Sequence, residues 1–152
     1  MIYHIEGKVV EKTPTYVVID VGGVGYVMQI SLNTFSKIGE STTFKLFTEQ
    51  LYVRDDMPRF FGFADMAERN IFRQLVSVSG VGGTSALLML SSLSAVEIQS
   101  AISTGNVALI KSVKGIGEKT AWKRGIITGI FCFFKQYFKG RGVICSRYVR
   151  LQ

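Results

Sequence analysis

Two short motifs hold the chemistry this sequence offers. Gly80-Val81-Gly82 and Gly115-Ile116-Gly117 each place a β-branched residue between glycines, just ahead of a stretch with helical character. Glycine admits positive φ and leaves no Cβ between the backbone and a ligand. The N–H groups of a helix's first turn lack intrahelical acceptors, and together with the helix dipole they favour an anion such as phosphate. In the first motif the candidate phosphate-binding residues are Gly80, Gly82, Gly83 and Thr84. In the second they are Gly115, Gly117, Lys119 and Thr120, with the Lys119 ammonium standing where the first unit has the Thr84 hydroxyl. The central Val81 or Ile116 is expected to turn inward as an anchor. Such a loop reads nucleic-acid backbone rather than bases and confers little sequence preference.

The motifs belong to an internal repeat. Ser77, Val78, Gly80, Val81, Gly82 and Ala86 match Ser112, Val113, Gly115, Ile116, Gly117 and Ala121, every pair 35 residues apart. A single glycine loop is equally well read as a tight turn between packed helices. Six matches at one offset point instead to a duplicated unit, whose two loops could hold both strands of a duplex.

Other chemistries fit less well. Gly117-Glu118-Lys119-Thr120 has part of a nucleotide phosphate-loop pattern, but Glu118 replaces the glycine before the lysine and the earlier glycine is missing. Gly22-Gly23-Val24-Gly25 has no following lysine and reads as a hairpin turn. The only histidine, His4, has no evident partner and reads as structural, and Cys132 and Cys145 lack zinc-ligand spacing. A base-excision or nuclease reading needs a catalytic Lys or Asp beyond the second loop, where the only acid is the adjacent Glu118. We therefore expect no catalytic residue, metal or cofactor; any motor would act in trans.

These motifs must be held by two kinds of scaffold. Ile2–Val10, Thr15–Val21, Gly25–Ser31, Thr43–Val53 and Arg59–Phe63 are short runs rich in β-branched and aromatic residues, punctuated by Thr13-Pro14 and Gly22-Gly23. They predict a small five-stranded barrel of the OB type over residues 1–63. Tyr3, Tyr26, Phe47 and Tyr52 could stack bases on such a barrel, but packing is the better reading. From Asp65 the period becomes helical. Asp65 and Glu68 have capping-box spacing, Ile71, Phe72, Leu75 and Val76 share a helix face, Ser94 and Glu97 form a second capping box, and Asn106 is a cap for a further short helix. The chain is thus expected to be α+β and multi-domain, with an all-α module of tandem helix-hairpin-helix motifs over 64–121 whose closing helix extends towards residue 130.

The charge is unevenly distributed. The chain has 152 residues and net charge +7, yet residues 1–118 carry −1 and residues 119–152 carry +8. The basic excess therefore says little about DNA binding by the body of the protein. The longest apolar run, Gly125–Phe134, is ten residues, too short for a membrane span of about 18 or more. With no signal-peptide pattern at the N-terminus, a cytoplasmic location is expected.

In this arrangement the chain resembles the RuvA family of Holliday-junction-binding proteins. The resemblance rests on MIYHIEGKVVEK at the start, VIDVGGVGY at 18–26, YVRDDMPRFFGFAD at 52–65, ERNIFRQLVSVSGVGG at 68–83 and VKGIGEKTA at 113–121. It implies an OB-fold first domain and two helix-hairpin-helix motifs in a second. It also implies a homotetramer that spreads four duplex arms, and branch migration driven by the ATPase RuvB, with RuvC a further candidate partner. The roles implied are recombination, repair and the SOS response to DNA damage. It gives Asp55 and Asp56, otherwise read as a solvated acidic turn, the role of an acidic pin at the tetramer centre. Like charges a few Å apart repel by about 4 kcal/mol at 4 Å in a partly shielded setting.

The resemblance stops after Ala121. Residues 122–152 contain no acid, both cysteines, the only Trp, and glycines at 125 and 129 inside the expected closing helix, each costing about 1 kcal/mol relative to Ala. This segment reads as a divergent basic and aromatic tail or the product of a frame shift, with no recognisable RuvB-binding domain. A general duplex-binding module, or a RuvA-like chain that binds DNA without recruiting its motor, is the alternative reading.

Overall fold

Alternating apolar and polar residues in the first sixty positions fold into five strands that close on themselves. A computed structural model describes residues 1–52, 57–78, 80–104 and 106–113. The strands are β1 (His4–Lys12), β2 (Tyr16–Val21), β3 (Val24–Ile30), β4 (Thr43–Leu51) and β5 (Arg59–Phe63), and a short helix, α1 (Leu32–Ile38), lies between β3 and β4. The barrel order is β1-β2-β3-β5-β4. It closes through antiparallel pairing of β1 with β4, while β3 and β5 run parallel. This is the expected OB-type arrangement.

Period-two burial places Ile5, Val17, Ile19, Met28, Ile30 and Leu46 inside, and Ile38 of α1 joins the same cluster. Each such side chain contributes about 1.5–3 kcal/mol when fully removed from water. The β2–β3 hairpin turns through Gly22 (φ 62°) and Gly23 (φ 90°), and the Asp20 carboxylate accepts from the Gly23 N–H at 2.9 Å. α1 is absent from the sequence-based expectation. Its seven residues are too few to show a helical period, and only Ser31, whose hydroxyl accepts from the Thr34 N–H at 3.1 Å, marks its start.

Four helices follow: α2 (Met66–Val76), α3 (Gly83–Ser92), α4 (Ala95–Thr104) and α5 (Val107–Lys111). Strand β5 joins the two layers. Its Gly62 faces the barrel interior, where an added Cβ would lie 3.2 Å from Leu46 and 3.3 Å from Met28. The alternation therefore turns Phe61 and Phe63 outward, onto Phe72 of α2, with ring centroids 4.8 and 4.9 Å apart. Ile71, Leu75, Val81, Leu87, Leu90 and Ile98 complete this second core.

Ser94 and Glu97 form the expected capping box. The Glu97 carboxylate accepts from the Ser94 N–H at 2.7 Å, and the Ser94 hydroxyl accepts from the Glu97 N–H at 3.2 Å. Asn106 caps α5 through the Leu109 N–H at 3.2 Å. The box expected at Asp65 is only half formed. Asp65 accepts from the Glu68 N–H at 2.8 Å, but the Glu68 side chain does not return to Asp65. It is buried against Ser31 and Thr34 of the α1 start instead.

Candidate nucleic-acid interface

The first glycine loop joins the end of α2 to the start of α3. At its entry the Ser77 hydroxyl donates to the Gln74 carbonyl at 2.6 Å, and the Val78 N–H donates to the Leu75 carbonyl at 3.1 Å. Val78 and Val81 are both buried, so two anchors pull the loop onto the helical core while Gly80 and Gly82 between and beside them stay exposed. Val81 thus occupies the inward position expected of it.

The three glycines of this loop have three different reasons to be glycine. Gly80 adopts φ 87°, a left-handed conformation that L side chains resist. Gly83 is held by packing, since a Cβ there would lie 2.5 Å from Phe61 Cζ and 2.8 Å from Leu51 Cδ1. Gly82 has neither constraint: its φ is −87°, and a Cβ added to it would meet nothing within 4 Å. What glycine provides at position 82 is an open backbone facing outward.

Gly82 is also the N-cap of α3, and it supplies no side-chain cap. Helices α1, α2, α4 and α5 are capped by Ser31, Asp65, Ser94 and Asn106. Among the described helices, α3 alone presents its first turn without a side-chain acceptor and without an acid in that turn. Its orphan donors, next to exposed Thr84, offer an anion the positive end of the helix dipole.

The repeat is visible in geometry as far as the described residues reach. Ser112 takes the C-cap position of α5 with φ −72° and ψ −10°, against φ −73° and ψ −16° at Ser77. Its hydroxyl donates to the Leu109 carbonyl at 2.7 Å, matching Ser77 on Gln74. Val113 is buried like Val78. Gly115, Gly117, Lys119 and Thr120 lie outside the described residues, as do Asp55, Asp56 and residues 122–152. Tyr52 and Met57, on either side of the acidic pair, are exposed.

One cluster escaped the sequence reading. Arg69 is 1% exposed. Its Nε donates to the Thr48 carbonyl at 2.8 Å, its guanidinium lies 4.7 Å from the Tyr3 ring centre, and its Nη2 is 3.4 Å from Glu49. Arg73 approaches the same Glu49 oxygen at 3.4 Å. The i, i+4 spacing of Arg69 and Arg73 put both on one face of α2, but nothing local shows that this face meets β4. Tyr3 is therefore engaged by a cation, and Tyr26 and Phe47 are half-buried, Tyr26 edge-on to Phe60 and Phe47 edge-on to Tyr3.

Comparison with known proteins joins these parts. Residues 1–62 match the family model described as RuvA N terminal domain, and residues 72–123 match the one described as SAM-like helix-hairpin-helix tandem. The chain belongs to the RuvA family. A relative from Christiangramia forsetii is 52% identical over 121 residues, covering 80% of this chain and 62% of its own length. One from Flavobacterium psychrophilum is 50% identical with the same coverage, and one from Neisseria meningitidis is 47% identical over 124 residues, again 80% and 62%. Each is named as a Holliday junction branch migration complex subunit RuvA. The chain spans about 62% of the length of these relatives. No helix among the described residues is long and apolar enough to cross a membrane.

Proposed function

We propose that this protein is a non-catalytic DNA-binding scaffold for four-way junctions. The observation that carries the reading is the uncapped start of α3 behind Gly80 and Gly82, in a family whose members are named for that task. Gly80, Gly82, Gly83 and Thr84 would hold one phosphate through first-turn N–H groups and the Thr84 hydroxyl. Gly115, Gly117, Lys119 and Thr120 would do the same in the second repeat, with the lysine adding charge. Residues 1–63 form the barrel module in this reading, residues 64–121 grip the duplex, and 122–152 add basic charge. Four copies around a junction would bring Asp55 and Asp56 to its crossover, where their charge keeps phosphates apart. A separate ATPase, RuvB by the family resemblance, would supply the work of branch migration, in the cytoplasm.

A gel-shift titration of a four-way junction against linear duplex of the same arm sequence tests the reading, paired with a mass measurement of the bound oligomer. Junction binding tighter by about tenfold, or 1.4 kcal/mol, is expected. Equal affinity for the two DNAs would leave only a general duplex-binding module.

A further inference from the structure

Helices α2 and α3 form a hairpin with the glycine loop at its closed end. The open end, where α2 begins and α3 finishes, is held by α1. The Glu68 carboxylate, on the first turn of α2 and 2% exposed, accepts from the hydroxyls of Ser31 and Thr34, the latter at 2.7 Å. Thr34 in turn accepts from the Ala64 N–H at 3.1 Å, and Lys37 pairs with Asp65, the N-cap of α2. On the other arm, the Asn33 side-chain amide donates to the carbonyls of Leu90 and Leu93, the latter at 3.3 Å, and the Leu32 N–H donates to the Ser91 hydroxyl at 3.0 Å. Leu93 and Ser94 are also where the chain leaves α3 for α4, so this grip fixes the departure point of the second hairpin.

The near end of the hairpin is seated differently. Gly83 rests on Phe61 and Leu51, a contact of shape with no direction of its own. It acts as a pivot, and the bonds at the open end set the angle. The arm between them is α3, 10 residues or about 15 Å long. A swing of about 10° about the pivot moves the far end by about 2.6 Å over that length, much more than a hydrogen bond tolerates.

We propose that Asn33 and Glu68 are positioning residues that set the angle of the glycine-loop hairpin against the barrel, and through it the preference for branched over linear DNA. The inference rests on the phosphate-binding role proposed above for the loop. A loop that contacts backbone phosphates binds any duplex; selection of a junction requires that the loop and the barrel keep a set relation. Asn33 is the better probe, because its amide touches only the end of α3 and lies far along that helix from the loop.

The test measures the full chain, as wild type and as Asn33→Asp, against a four-way junction and a linear duplex. Aspartate keeps the shape of asparagine but offers no donor, and it faces two carbonyl oxygens. The ratio of the two affinities is the readout, because a smaller folded fraction lowers both affinities together and leaves the ratio unchanged. Asn33→Asp should reduce the junction preference by about tenfold while duplex affinity stays at the wild-type value. An unchanged ratio overturns the inference. Should Asn33→Asp fail to fold, Ser91→Ala, which removes only the acceptor for the Leu32 N–H, decides by the same ratio. A wild-type protein without junction preference would instead overturn the proposed function itself, which separates the two failures.

Discussion

Gly83 and Phe61 are in such close contact that a methyl group on Gly83 would stand 2.5 Å from the ring's Cζ. The first residue of α3 is therefore seated on the outer face of β5. This contact joins the barrel to the glycine loop, and it separates two glycines that look equivalent in the sequence.

Gly83→Ala is expected to destabilise the fold by about 1–3 kcal/mol, the usual range for overpacking a filled core. Both neighbours belong to the barrel wall, and Phe61 is itself clamped against Phe72. Thermal unfolding should show the midpoint falling by several degrees; a midpoint equal to wild type would mean that the wall yields.

Gly82→Ser should act in the opposite sense on stability. A serine at this N-cap meets no obstacle and can accept from the uncapped first turn, a gain of a few tenths of a kcal/mol over glycine. The same hydroxyl occupies a donor meant for phosphate and adds bulk at the open backbone. Duplex affinity should fall as stability rises or holds. A variant that binds DNA as wild type does would remove Gly82 from the interface.

The buried carboxylate of Glu68 makes stability depend on pH. Burial pushes its pKa above the ordinary 4.5; the Ser31 and Thr34 hydroxyls oppose the shift without cancelling it. A raised folded-state pKa means that its contribution is complete below 4.5 and is lost as pH rises through the folded value. Asp65 has the reverse sign. Partial burial pushes it up, but the Lys37 ammonium and the N–H groups of Glu68 and Ala67 hold it below the ordinary 3.8. Its contribution is present above 3.8 and is lost as pH falls through the folded value. Urea unfolding of wild type and Glu68→Gln from pH 4 to pH 8 isolates the first effect. The wild type should lose stability relative to the variant as pH rises; a difference independent of pH would place the charge elsewhere.

Arg69→Met leaves the largely buried Glu49 with only the half-exposed Arg73 as partner and removes the bond to the Thr48 carbonyl. A loss of about 3 kcal/mol is expected, because breaking a buried pair strands the other charge. Adding Glu49→Gln should recover part of that loss. Denaturant titrations of the two single variants and the double variant give the coupling, and strict additivity would show that the two groups do not interact.

Much of the site was legible before any coordinates because its determinants are local. Positive φ at Gly80, the reciprocal bonds of Ser94 and Glu97, and the Asn106 cap all lie within three or four residues of their partners. Helix α1 was not legible, since seven residues make under two turns and its stabilising partners are distant. Nor was the role of Glu68. Capping-box spacing offered it Asp65, three residues back, but folding gave it Ser31, 37 residues away.

By itself the sequence determined the strands of the barrel, the paired glycine loops and the family, because alternation, capping and repeat spacing are properties of neighbours along the chain. Only the tertiary structure decided which glycine answers to what. Gly80, Gly82 and Gly83 have the same composition and nearly the same position. They differ in what lies beside them: a backbone angle at Gly80, open space at Gly82 and an aromatic ring from another element at Gly83. Contacts of that kind form only when segments remote in sequence are brought together, and so the Gly83–Phe61 seat and the grip of α1 had no local pattern to announce them.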